Sequence, residues 1–184
     1  CPDTKNIYSW KFRNFNNVDT NSNKRKINFS KLLKIIEKES LSEENFNLTS
    51  QNKVIISSKY LDHKFIINNI VKADNYSYLY KPHPRLWKNS RYLLNNLAII
   101  KSENIEAWIL KNKKKINEIY IGMSATTLVI AELFLIKKID ISINLTLSSK
   151  YNTNNSIKEL NSFIEQSLKT NSFKKIFLDG KCIQ

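Results

Sequence analysis

Four short runs carry residue types that do chemistry. The densest is Lys81-Pro82-His83-Pro84-Arg85, where two of the three prolines flank one of the two histidines. A proline fixes its own φ and biases the residue before it toward extended backbone, so Pro82 and Pro84 hold Lys81 and His83 extended. An imidazole held in this way suits general acid or base work near neutral pH. Lys81 and Arg85 add cationic donors, and the guanidinium fork matches phosphate or carboxylate. The plainer alternative is a proline-rich turn with a structural histidine.

A second run, Gly122-Met123-Ser124-Ala125-Thr126-Thr127, opens an apolar helical stretch. Ser124 is its natural N-cap. A helix start offers free backbone N–H groups and partial positive charge, which together hold phosphate without a glycine-rich loop. The Ser124 and Thr126 hydroxyls add donors; an ordinary serine cap is the alternative. In Ser102-Glu103-Asn104-Ile105-Glu106, Ser102 or Asn104 can cap a helix, and a carboxylate there can accept hydrogen bonds from ribose hydroxyls. In Ser58-Lys59-Tyr60-Leu61-Asp62-His63, Asp62 can be a general base or simply a first-turn helix acid. His63 is the rival imidazole, inside a predicted helix and so less well presented than His83.

These runs matter because of the elements they join. Short, largely apolar runs predict strands at 54–57, 76–80, 97–100, 118–121, 139–143 and 175–178. Helices are predicted at 61–73, 105–113, 124–135 and 156–168. This β-α alternation implies an α/β domain with a doubly wound, mostly parallel sheet and helices on both faces. Ligands of such sheets sit outside the carboxyl ends of the strands. The chemistry-bearing runs all fall there, after strands ending near Ser57, Tyr80, Ile100 and Ile121. Residues 1–52 read as a separate irregular or helical segment, and 53–184 as the regular domain. Within the first segment, 29–38 is amphipathic, with Leu32, Leu33, Ile35 and Ile36 on one face and Ser30 as a cap. Residues 41–52 read as a polar linker.

Composition narrows the classes. A chain of 184 residues with 41% hydrophobic and 11% aromatic content builds one real core. Its net charge of +14 favours anionic partners, although a chain so rich in Lys, Asn and Ile places many lysines on solvated surface. The two glycines leave no room for GxGxxG or a Walker loop. Cys1 and Cys182 form no CxxC, which argues against a zinc or redox site and favours a reduced cytosolic chain. The start, Cys1-Pro2-Asp3-Thr4-Lys5, is neither an initiator nor a signal sequence, so the chain reads as a fragment or processed product. The apolar stretch from Ile119 to Ile136, about 18 residues, reaches the lower limit for a membrane span but contains Ser124, Thr126, Thr127 and Glu132.

Taken in order, the runs resemble the C-terminal half of bacterial sialyltransferases of the lipooligosaccharide type, glycosyltransferase family 52. The matching features are a strand ending in Tyr80-Lys81-Pro82-His83-Pro84-Arg85, then Ser102-Glu103-Asn104-Ile105-Glu106-Ala107-Trp108-Ile109-Leu110. Glu118-Ile119-Tyr120-Ile121 follows, leading into Ser124-Ala125, and Ile176-Phe177-Leu178-Asp179-Gly180-Lys181 closes the match. The resemblance covers about residues 53–184 and implies the Rossmann-like C-terminal domain of a GT-B enzyme. The donor would be CMP-sialic acid, the acceptor a galactose of a surface glycan or glycolipid, and the reaction inverting without a metal or other cofactor. His83 would protonate or stabilise the departing CMP phosphate and Asp62 would deprotonate the acceptor. Glu106 would bind the ribose, and Ser124, Ala125 and Thr126 the phosphate, with Lys81, Pro82, Pro84 and Arg85 lining the CMP site. A polysialyltransferase-like enzyme shares the His-Pro feature. Peripheral contact with anionic lipid through Lys111–Lys115 fits a glycolipid acceptor, and a homodimer is left open.

The competing class is a basic nucleic-acid-binding module built on Lys24-Arg25-Lys26 and Lys111-Asn112-Lys113-Lys114-Lys115. No RRM, KH or helix-turn-helix signature accompanies these runs, so nucleic acid is not an expected partner. Filter binding at low salt should therefore retain no oligonucleotide. Retention that falls steeply with added salt is the result that would instead support the module.

Overall fold

In the computed structural model, the described residues are 29–42, 52–57, 77–83, 97–102, 104–146 and 154–184. Within them run α1 (Phe29–Ser42), β1 (Asn52–Ile56), β2 (Ser77–Lys81), β3 (Ala98–Ile99) and α2 (Ile105–Asn112). A 3-10 turn (Lys113–Lys115) leads to β4 (Ile116–Ile121), α3 (Ala125–Lys137), β5 (Ser142–Leu145), α4 (Asn154–Thr170), β6 (Ile176–Leu178) and β7 (Lys181–Cys182). The chain is α/β, and its one seven-stranded sheet has the order β3-β2-β1-β4-β5-β6-β7. All pairings are parallel except β6 with β7. The order reverses between β1 and β4, an arrangement compatible with a Rossmann-like fold.

The register explains which residues meet. Val54 pairs with Leu79 and Ile119, Ile119 with Ile143, and Ile143 with Ile176. Paired residues share a face, so Val54, Leu79, Ile119, Ile143 and Ile176 form one apolar row across five strands. Ile56, Ile121 and Leu145 form a second row beside it. These rows pack with Ile36 of α1, Trp108 and Ile109 of α2, Ile130 and Phe134 of α3, and Phe163 of α4 in one core. The core therefore lies between a single face of the sheet and all four described helices. The predicted helix at 61–73, between β1 and β2, lies outside the described residues.

Several boundaries differ from the sequence reading. β5 starts at Ser142 rather than Ile139, because α3 runs to Lys137 and stops on Lys138 in the left-handed region at φ 49. Residues 139–141 then only lead into the strand, with Ile139 N–H bonded back to Phe134 O at 3.0 Å. Helix α1 begins at Phe29, one residue before the expected cap Ser30, and runs on to Ser42 through part of the expected linker. Ile35, expected on its apolar face, is 52% exposed. The face that packs centres instead on Ile36, with Leu32 and Leu33 beside it. The closing strand turns back: Asp179 (φ 47) and Gly180 (φ 82) make a two-residue turn between Leu178 and Lys181, which pair. Asp-Gly with both φ values positive is the favoured hairpin turn. Cys182 on the returning strand is a free, exposed thiol.

The long apolar stretch is divided between β4 and α3, so its hydrophobicity serves two buried elements. Among the described residues no helix is long and apolar enough to cross a membrane. Ile119, with no exposed surface, sits at the centre of the apolar row. Ile119→Ala should cost about 2–5 kcal/mol of unfolding free energy, read by urea denaturation. A loss under 1 kcal/mol would mean that the sheet and the helices do not share one core.

Candidate functional site at the carboxyl edge of the sheet

The parallel strands β1 to β6 end on the same edge, and the switch point lies where β1 and β4 end. The β1 and β2 ends are tied together: Ser57 N–H donates to Lys81 O at 2.9 Å. Beyond Lys81, the chain continues through buried Pro82 to half-buried His83. Pro84 and Arg85 lie outside the described residues, as do Asp62 and His63. The histidine is thus placed two residues past a strand end, with the proline between it and the sheet, as its sequence context predicts.

On the β3 side, the Lys81 ammonium donates to the Ser102 carbonyl and so links the ends of β2 and β3. The Ser102 hydroxyl donates to Asn104 O at 2.9 Å. Asn104, not Ser102, caps α2, its Oδ1 accepting from Ala107 N–H at 3.0 Å. Its amide nitrogen donates to Glu39 of α1. Helix α1 therefore reaches the edge of the site, a contact the sequence reading did not foresee. Glu106 follows in the first turn of α2. Burial raises its carboxyl pKa above 4.5, and nearby Glu39 adds to this, while a backbone hydrogen bond and the positive charge of Lys81 work the other way. Lys81 and Glu106, two predicted site residues, are thus near neighbours.

On the β4 side, Ser124 caps α3 in extended backbone (φ −161, ψ 171) and accepts from Thr127 N–H at 3.3 Å. Its hydroxyl also pairs with Thr127 Oγ1 at 3.0 Å, and that hydroxyl donates to Gly122 O at 2.8 Å. The Ser124 side chain is therefore occupied by the cap. A phosphate here would meet the backbone N–H groups of Ala125 and Thr126 at the positive end of α3. Ala125 is exposed and Thr126 half-buried, so both are open to the edge.

The opposite face of the sheet differs from the apolar one. Lys53 pairs with Tyr78 and Glu118; Ile55 pairs with Tyr80 and Tyr120; Tyr120 pairs with Asn144. Lys53 Nζ lies 3.6 Å from Glu118 Oε2 and 5.7 Å from the centre of the Tyr78 ring. Asn144 Nδ2 donates to Glu118 Oε1 at 3.2 Å. Burial, with Glu118 and Tyr78 alongside, pushes the Tyr120 phenol well above its ordinary range. Two groups on this face have no hydrogen-bond partner among the described residues: Asn144 Oδ1 and Thr146 Oγ1, in residues 3% and 4% exposed. Leaving such a group unpaired costs about 1–3 kcal/mol. Sequence reasoning missed both. The signal was present in Ser142-Ile143-Asn144-Leu145-Thr146, whose strict alternation marks a strand with one polar face.

Among the described residues, no group of three or more His, Cys, Asp or Glu side chains is placed to hold a metal ion. Comparisons with protein-family models, with curated proteins and with solved structures find no match to this chain.

The raised carboxyl of Glu106 has a pH signature. The folded state holds this proton more tightly than the unfolded state, so stability falls as pH rises from 4.5 through the folded pKa and stays lower above it. Glu106→Gln removes that loss. Urea unfolding should find the variant more stable than the parent at pH 7, with the gain vanishing below about pH 4.5. A gain that persists unchanged at low pH would assign the effect to packing instead.

Proposed function

We propose that the chain is the nucleotide-sugar-binding part of a sialyltransferase, with CMP-sialic acid as donor and a galactose-type surface glycan as acceptor. The observation that carries this reading is the meeting of three runs at one sheet edge. His83 follows β2, Glu106 opens α2 after β3, and the α3 start follows β4, all around the β1/β4 switch point. A Rossmann-like C-terminal domain of a GT-B enzyme is the architecture this reading entails.

The chemistry asks for little more than these groups. The acceptor hydroxyl oxygen attacks the anomeric carbon from the face opposite the phosphate, and the bond from that carbon to the phosphate oxygen breaks. Charge builds on the departing phosphate, so fixed donors and an acid near it lower the barrier most. His83 is the acid, and the backbone N–H groups of Ala125 and Thr126 are the fixed donors. Glu106 takes the ribose hydroxyls, and the nearby Lys81 favours its ionised form. Arg85 adds a cation for the phosphate or the donor's carboxylate, and Asp62 accepts the proton of the acceptor hydroxyl. Holding Glu106 where burial disfavours its charge costs stability, which is the pattern of a group kept for a ligand.

CMP at millimolar concentration should raise the Tm of the chain. His83→Ala should leave the unliganded Tm within about 2 °C of the parent and lower sialyl transfer by about 100-fold or more in a transfer-competent form. Absence of any shift with CMP and with CMP-sialic acid would end the reading.

A further inference from the structure

The second face of the sheet offers a subsite that the nucleotide groups leave unused. We infer that Thr146, with Asn144 beneath it, binds a neutral hydroxyl or amide group on the transferred sugar. The inference rests on the nucleotide-sugar reading above and deepens it.

Three observations carry it. The first is position. Thr146 follows β5, and its N–H donates to Ile121 O at 3.2 Å, so it stands beside Gly122 at the same edge as the α3 start. In the strand order, β4 lies between β5 and the group β1-β2-β3. A ligand with its phosphate at the α3 start therefore extends one way toward Glu106 and the other way toward Thr146. The nucleoside occupies the first direction, which leaves the second for the sugar.

The second observation is the unused hydrogen-bonding capacity. Asn144 Oδ1 and Thr146 Oγ1 lack partners among the described residues although both residues are more than nine-tenths buried. They stand two residues apart on one side of the strand, about 7 Å along it. Gly122, the residue after β4, has no side chain beside Thr146, while Tyr120 is the neighbour of Asn144.

The third is the chemistry the groups accept. Asn144 gives one Nδ2 N–H to Glu118, and its Oδ1 acceptor has no partner among the described residues. An acceptor needs a donor opposite, which phosphate and carboxylate oxygens lack. A hydroxyl or an amide N–H supplies one, and the Thr146 hydroxyl can both give and receive a hydrogen bond. Glu118 close by opposes a further anion. The face therefore favours the neutral hydroxyl or amide portion of the sugar over its carboxylate.

The test is calorimetric titration of the 184-residue chain with CMP and with CMP-sialic acid. Thr146→Val keeps the shape and removes the hydroxyl. It should bind CMP as the parent does and CMP-sialic acid about three- to tenfold more weakly. Thr146→Ser should restore the parent affinity. Without ligand, Thr146→Val should melt about 2–4 °C higher, because an unpaired buried hydroxyl has been removed. Parent affinity for both ligands in Thr146→Val, equal weakening of both, or a lower unliganded Tm would overturn the subsite and leave the nucleotide reading standing. Failure of the parent chain to bind either compound would overturn both.

Discussion

The parallel pairing of β1 with β4 is the contact on which the rest depends. These strands are far apart in sequence, and joining them reverses the strand order, the arrangement at whose carboxyl ends open parallel sheets commonly bind ligands. Hydrogen bonding alone does not select this pairing, since any two extended segments could form a ladder. Selection comes from burial. In the observed register Val54 meets Ile119 and Ile56 meets Ile121, so four large apolar side chains face the same helices. A slip of one residue would set Lys53 of β1 or Glu118 of β4 against that core, and charge is costly there.

The same register fixes the character of the other face. Lys53, Tyr78, Glu118, Tyr120 and Asn144 meet there because their neighbours in sequence are committed to the core. A strand buried on both faces of a doubly wound sheet is usually apolar throughout. This sheet instead carries a half-buried lysine–glutamate pair at 3.6 Å, and such pairs seldom add net stability once desolvation is counted. With Asn144 Oδ1 and Thr146 Oγ1 lacking partners among the described residues, the second face is where this fold has given up stability.

Helix α1 ties this sheet to its site. Its buried side enters the core through Ile36, Glu39 holds the Asn104 side chain at the start of α2, and Glu37 pairs with Lys137 at the end of α3. The segment that composition marks off from the regular domain thus braces the β3 side of the candidate crevice. Its charge reaches Glu106 directly, since Glu39 and burial together disfavour the ionised form that Lys81 favours.

Much of the fold was legible from local pattern. The apolar runs of β1, β2, β4 and β6 and the helices α2, α3 and α4 follow from period and caps, and Ser124 caps α3 as its context predicts. The site loops were legible for the same reason: in an alternating β-α chain each falls after a strand. Elsewhere tertiary contacts outweigh local pattern. β5 moved along the chain because the left-handed stop at Lys138 and its bond to Phe134 delay the strand. Ile35 turned outward because α1 packs along Ile36, and the hairpin at Asp179-Gly180 was passed over although its dipeptide announces it.

By itself the sequence determined the α/β class, the position of His83 beyond a strand end and the caps available to each helix, because these depend on neighbours within a few residues. Only the tertiary structure decided the strand order, the approach of Lys81 to Glu106, the reach of Glu39 to Asn104 and the lack of a partner for Asn144 Oδ1 and Thr146 Oγ1 among the described residues. Each of these depends on how residues far apart in the chain are brought together. Which of them meet is set by how the whole sheet buries its apolar rows, and no local stretch of sequence carries that energy.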